Sequence, residues 1–96
     1  MSATSTALRK ARRGAAFLDA KLGRGWRRKI RRRDLNLASP CNCIIGQLYN
    51  CDFEGGLRDL GIRSDRSVER FGFEETPLAQ YDDLTEAWLE VLRGRA

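Results

Sequence analysis

The chain contains no histidine, a single methionine, two prolines and three cysteines in 96 residues. Without imidazole it lacks the commonest general base and the commonest metal ligand. An enzyme is therefore not expected, and no residue presents itself as catalytic. No apolar run approaches the roughly 18 residues of a membrane span. An apolar signal-peptide core is absent too, because the opening stretch is polar and basic. That opening, "MSATSTALRKARRGAAF", is free of acids up to Asp19 and superficially resembles a mitochondrial transit peptide. It runs smoothly into segments that read as folded, so it is taken as a basic helical arm. With no secretion signal and an odd cysteine count, disulfides are not expected, and a reducing compartment is the expected setting.

What the chain does have is charge, and the charge is divided. The net +5 conceals twelve Lys or Arg against Asp19 alone in residues 1–33, a surplus of +11. Residues 34–96 carry six arginines against twelve acids, a deficit of −6. The layout reads as a basic N-terminal helical arm, residues 1–33, on a small acidic helical body, residues 34–96, in one folding unit. A chain this short buries only about 60–65% of its unfolded surface, so its core is thin.

A density of cations this high is an electrostatic footprint for nucleic acid, DNA or RNA, through the phosphate backbone. The candidate contact residues are Arg9, Lys10, Arg12, Arg13, Arg24, Arg27, Arg28, Lys29, Arg31, Arg32 and Arg33. An anionic membrane surface would attract the same residues. The plainer alternative is a solvated face folded against the acidic body.

Apolar periodicity organises the rest. Leu8, Ala11, Ala15, Leu18 and Leu22 recur at steps of three and four and predict a first helix, weakened at Gly14 and closed by Gly23 and Gly25. Trp26 and Ile30 form the apolar edge of a short second helix. Ser39–Pro40 reads as a helix start, giving a helix with Cys41, Ile44, Ile45 and Leu48 on one face and an end near Asn50 or Cys51. Asp52 caps a helix through Phe53, Leu57 and Leu60, closed by Gly61. Ser64 or Asp65 begins a further turn or two around Val68 and Phe71. Thr76–Pro77 opens the last helix, through Leu78, Tyr81, Leu84, Thr85, Trp88, Val91 and Leu92. No strand pair is evident. The expected class is all-α, a compact single-domain bundle of five or six short helices, with the first six or so residues disordered.

Three stretches invite chemistry and are judged by spacing. On one helix Cys41 and Cys43 diverge by about 160°, and Cys51 lies about 80° from either. A zinc site wants converging pairs and four ligands, so neither a metal nor a cofactor is assigned. No Cys-x-x-Cys redox pair is present, and Cys43 lacks a histidine to activate it, leaving the cysteines as small buried apolar residues. Gly46 sits mid-helix at a cost of about 1 kcal/mol, which predicts close approach of another helix there, or of a partner. Residues 55–73 hold an imperfect helix-turn-helix, with Ser64, Asp65, Arg66, Ser67 and Arg70 as a conceivable reading face. The acids Glu74, Glu75, Asp82, Asp83, Glu86 and Glu90 read as a solvated face of the last helix.

The residues Trp26, Ile30, Cys43, Ile44, Ile45, Gly46, Gln47, Leu48, Tyr49, Gly56, Leu60, Gly61, Gly72, Phe73, Tyr81, Leu84, Thr85 and Trp88 form a pattern over roughly residues 16–93. It resembles a family of small proteins from actinobacterial phages, prophages and their hosts. The dense arginines around Trp26, and Asn50–Cys51 after the tyrosine, depart from it. The resemblance implies an origin and a small fold, and makes Cys43 the one cysteine of the pattern; it implies no reaction. The expectation is thus a non-enzymatic phage-type accessory protein of the bacterial cytoplasm, nucleic-acid-associated or regulatory through its basic N-terminal segment. The alternative is an interaction factor that modulates a host protein through the acidic body or the Gly46–Tyr49 surface.

Overall fold

Five α-helices and two 3₁₀ segments make up the computed structural model, which describes residues 4–94: α1 Ser5–Leu22, 3₁₀ segments Arg24–Lys29 and Arg32–Asp34, α2 Ile44–Leu48, α3 Phe53–Leu60, α4 Asp65–Arg70 and α5 Tyr81–Leu92. There is no named strand among the described residues; one isolated bridge joins Thr76 and Ala79. The all-α class is as expected. Of the residues expected to be disordered, Thr4 to Thr6 are ordered: the Thr4 hydroxyl accepts from the Ala7 N–H at 3.1 Å and caps α1. Met1 to Ala3 lie outside the described residues.

The basic segment is part of the core. α1 packs along α5 and against α4, burying Ala7, Ala11, Gly14, Ala15 and Leu18. This face is made of small residues, so α5 comes close. A Cβ on Gly14 would fall on the Phe71 carbonyl oxygen and 2.7 Å from Trp88 Cζ2. Gly14 is therefore the point of closest approach, not a weak spot. Turning the small face inward displaces the larger members of the expected stripe: Leu8 is half-buried and Leu22 is 42% exposed.

Trp88 is the hub. Its Nε1–H donates to the Gly72 carbonyl at 2.8 Å. Its ring stacks on Phe73 with centroids 5.5 Å apart and meets Trp26 edge-on at 6.1 Å. Trp26 and Ile30 are buried as predicted, on a 3₁₀ turn and the residue after it. Gly72, at φ +74°, lays its backbone against Lys10 and Ala11 of α1.

Two expected helix starts are corrected. Ser39–Pro40 opens a single turn: the Cys43 N–H donates to the Ser39 carbonyl at 2.9 Å, and the chain then straightens. Cys43, at ψ 174°, is the true N-cap of α2, its sulfur accepting from the Gly46 N–H at 3.2 Å. Thr76–Pro77 makes a tight turn closed by mutual Thr76–Ala79 backbone bonds, with proline at the position such turns favour. α5 begins instead at Tyr81, where Asp83 accepts from the Gln80 N–H.

The disulfide expectation is also overturned. Cys41 and Cys51 are bonded, with Cα atoms 4.2 Å apart. The helical-wheel argument fails because neither cysteine is on the helix: α2 spans only Ile44–Leu48, and the cysteines stand on the turns before and after it. Asn50 and Cys51 both adopt positive φ, 55° and 72°, which folds the chain back toward Cys41. Gly46 does mark a close approach, but of the Pro40–Cys41 backbone and not of another helix.

Candidate nucleic-acid interface

The eleven predicted contact residues separate into braces and free cations. Arg27 is a brace. Its Nε and Nη2 donate to the two oxygens of Asp19 at 3.2 and 2.9 Å, while Trp26 Nε1–H donates to the same carboxylate at 2.8 Å. The guanidinium lies 5.4 Å from the Trp26 ring centroid. The bonds from Arg27 hold the Asp19 carboxyl below the usual carboxylate range, against a smaller opposing effect of burial. The one acid of the basic stretch is thereby neutralised, and Arg27 is consumed in doing so.

Lys10 and Arg13 are also braces. They donate to the carbonyls of Glu69 and Arg70 at 3.3 and 3.2 Å, covering the C-terminal end of α4. Arg31 pairs with Asp34 at 3.1 Å, but both side chains are more than half exposed, so the pair is worth little. Its backbone matters more. Gln47 of α2 accepts from the Arg31 N–H at 2.6 Å and donates to the Arg31 carbonyl at 3.2 Å and to the Asn42 carbonyl at 3.1 Å. This amide clamps the arginine-rich stretch onto α2.

Arg9, Arg12, Arg24, Arg28, Lys29, Arg32 and Arg33 remain. All seven are exposed, and none makes an ion pair among the described residues. Five of them project from the stretch between the buried anchors of Trp26, Ile30 and Leu35 or just before it. The backbone there is held by Asp19, Gln47 and the core, so the arginines extend from a fixed base.

The proposed reading helix is not built as a helix-turn-helix. Gly61 does make the turn, in the left-handed region at φ 79°, with the Ile62 N–H donating to Leu57 O at 2.9 Å. Yet α3 packs on α2 and α4 packs on α1, and α4 has six residues. Among the described residues, no three metal-ligating side chains converge, and no helix is long and apolar enough to cross a membrane. Cys43 is buried, and burial raises its thiol pKa above the ordinary value. The Gln47 clamp and the disulfide were not read from the sequence. Asn50, a residue tolerant of positive φ, between cysteines ten apart was the available signal for the second.

No family model, curated protein or solved structure matches the chain.

Proposed function

We propose that this is a non-enzymatic accessory or regulatory protein of phage type, working in a bacterial cell, that associates with nucleic acid through phosphate contacts. What carries the reading is the set of seven exposed cations, Arg9, Arg12, Arg24, Arg28, Lys29, Arg32 and Arg33, which make no ion pair among the described residues while Asp19 is spent on Arg27 and Asp34 on Arg31. Gln47 fixes the backbone at Arg31 and the buried Trp26 and Ile30 anchor the stretch in the core, so the cations beside them extend from a held segment. Backbone binding requires neither a groove-reading helix nor a sequence preference.

The test is fluorescence anisotropy with labelled single-stranded DNA, duplex DNA and RNA at stepped salt. Five phosphate contacts give a slope of log K against log salt of about −4.5 on duplex and about −3.5 on a single strand. Replacing Arg24, Arg28, Arg32 and Arg33 by glutamine flattens the slope and leaves the fold intact. Absence of binding to all three probes at low salt overturns the proposal.

A further inference from the structure

The nucleic-acid reading leaves a second feature of the surface unused. A cleft of about 270 Å³ opens between the 37–40 segment, the first turn of α3 and the start of α5. Pro40, Phe53, Phe73 and Tyr81 give it apolar and aromatic walls, and Glu54 and Glu74 add carboxylates. Among the described residues no lysine or arginine lines it, although the chain carries a net +5. Glu75 adds a third carboxylate close by, accepting from the Tyr81 N–H at 3.3 Å. The phenol of Tyr81 is pushed above its ordinary pKa, by burial first and then by Glu74 and Glu75, consistent with negative potential at this point.

The cleft is held open by construction. Its two sides, at Pro40 and at Phe53–Glu54, lie immediately outside the Cys41–Cys51 disulfide, which joins them at a Cα separation of 4.2 Å. Pro40 is seated against Gly46, where any side chain would displace its carbonyl. Phe73 is stacked on Trp88 in the core. Such a site needs little reorganisation to bind.

We infer that this cleft docks a peptide segment of a partner protein, through an apolar side chain flanked by lysine or arginine. The volume accepts one or two side chains and falls just below the range of small-molecule pockets. The aromatic walls favour an apolar side chain by burial, and the carboxylates of Glu54 and Glu74 favour cations on either side of it by charge. The same carboxylates repel phosphate, so nucleic acid is not the occupant. The site is separate from the arginine surface, and the protein so equipped could hold a basic partner segment beside nucleic acid.

The test is a ¹⁵N–¹H NMR titration of the oxidised full chain with acetyl-Lys-Leu-Lys-amide, using acetyl-Glu-Leu-Glu-amide and acetyl-Lys-Gly-Lys-amide as comparisons. The expected result is saturable shifts at amides of residues 37–43, 53–54, 73–74 and 81 with the first peptide. Binding is about tenfold weaker with either comparison, and about tenfold weaker in Glu54→Gln/Glu74→Gln. These two glutamates make no salt bridge among the described residues, and unchanged dispersion of the remaining amides verifies the variant's fold. Equal binding of the glycine peptide, shifts spread along Asp82 and Glu86, or no saturable shifts at all overturns the inference. Glutamine at Arg24, Arg28, Arg32 and Arg33 leaves this titration unchanged, so its outcome is independent of the nucleic-acid proposal.

Discussion

Glycine in the middle of a helix is replaced by alanine with a gain of about 1 kcal/mol where nothing else is touched. At Gly14 the sign should reverse. The added methyl would strike the Phe71 carbonyl oxygen and approach Trp88 Cζ2 and Cη2 to 2.7 and 2.8 Å. Neither neighbour can yield. The Trp88 ring is fixed by its hydrogen bond to Gly72 O and by contacts with Trp26 and Phe73. The Phe71–Gly72 backbone is pressed in turn against Lys10 and Ala11. Overpacking costs about 1–3 kcal/mol, and displacing Trp88 from its acceptor adds about 1–3 kcal/mol. After the helix-propensity gain, Gly14→Ala should lose about 2 kcal/mol or more. At about 4–8 °C per kcal/mol for a domain this size, the melting temperature falls by roughly 8–16 °C. The control is Gly25→Ala, where the nearest atom to the new methyl is Arg28 Nη2 at 3.9 Å; it should be neutral or stabilised by up to about 1 kcal/mol. Thermal and urea unfolding followed by tryptophan fluorescence measure both. A Gly14→Ala protein as stable as the parent would refute the α1–α5 packing described here.

Asp19→Ala leaves the buried Trp26 N–H without an acceptor and should cost about 1–3 kcal/mol in urea unfolding, while Asp34→Ala, at an exposed pair, should cost under about 1 kcal/mol. Because the Asp19 carboxyl is depressed in the fold, its contribution is fully present above the ordinary value near 3.8 and is lost as pH falls through the lower folded value; stability against pH in the parent and in Asp19→Asn checks this. Tyr49 runs the other way. Burial, then its hydrogen bond to Asp59, pushes its pKa up to about 12, so its contribution holds below about pH 10 and disappears between about 10 and 12; Tyr49→Phe should remove the later part of the tyrosinate absorbance titration. Reducing the Cys41–Cys51 bond, which joins residues ten apart, should cost about 2.7 kcal/mol by loop-closure entropy, and a midpoint unmoved by reductant would contradict the bond.

How much of this was legible in the sequence depends on the range of the interaction. Helix existence was readable because Ala11, Ala15 and Leu18 in α1, and Leu84, Trp88 and Val91 in α5, recur at steps of four and three; all six are buried. Helix boundaries were not. Ser39–Pro40 and Thr76–Pro77 carry the chemistry of a helix start, but the same chemistry starts a turn, and only packing decides between them. The free cations were partly readable. Composition located the arginine stretch, but Arg27, Lys10 and Arg13 differ from their neighbours only through partners 8, 59 and 57 positions away. The cleft was invisible, because its walls come from four separated segments and its residues read individually as core or surface.

The disulfide bears on where the protein can work, because such bonds persist in oxidising compartments and are rare in a reducing cytosol. The two settings need not give different folds. The 49–52 turn is closed without the sulfurs: the Cys51 N–H donates to Gly46 O at 2.8 Å and the Asp52 N–H to Tyr49 O at 3.1 Å. Asp52 caps α3 through the Gly55 N–H at 3.0 Å, and the Tyr49 hydroxyl donates to Asp59 at 2.7 Å. What reduction removes is the tie opposing the left-handed backbone of Asn50 and Cys51, each of which costs about 1–2 kcal/mol. Reduction should therefore loosen the 49–52 turn and the cleft beside it while leaving α1, α5 and the arginine surface in place. On that basis nucleic-acid affinity is indifferent to reductant, and peptide docking is not.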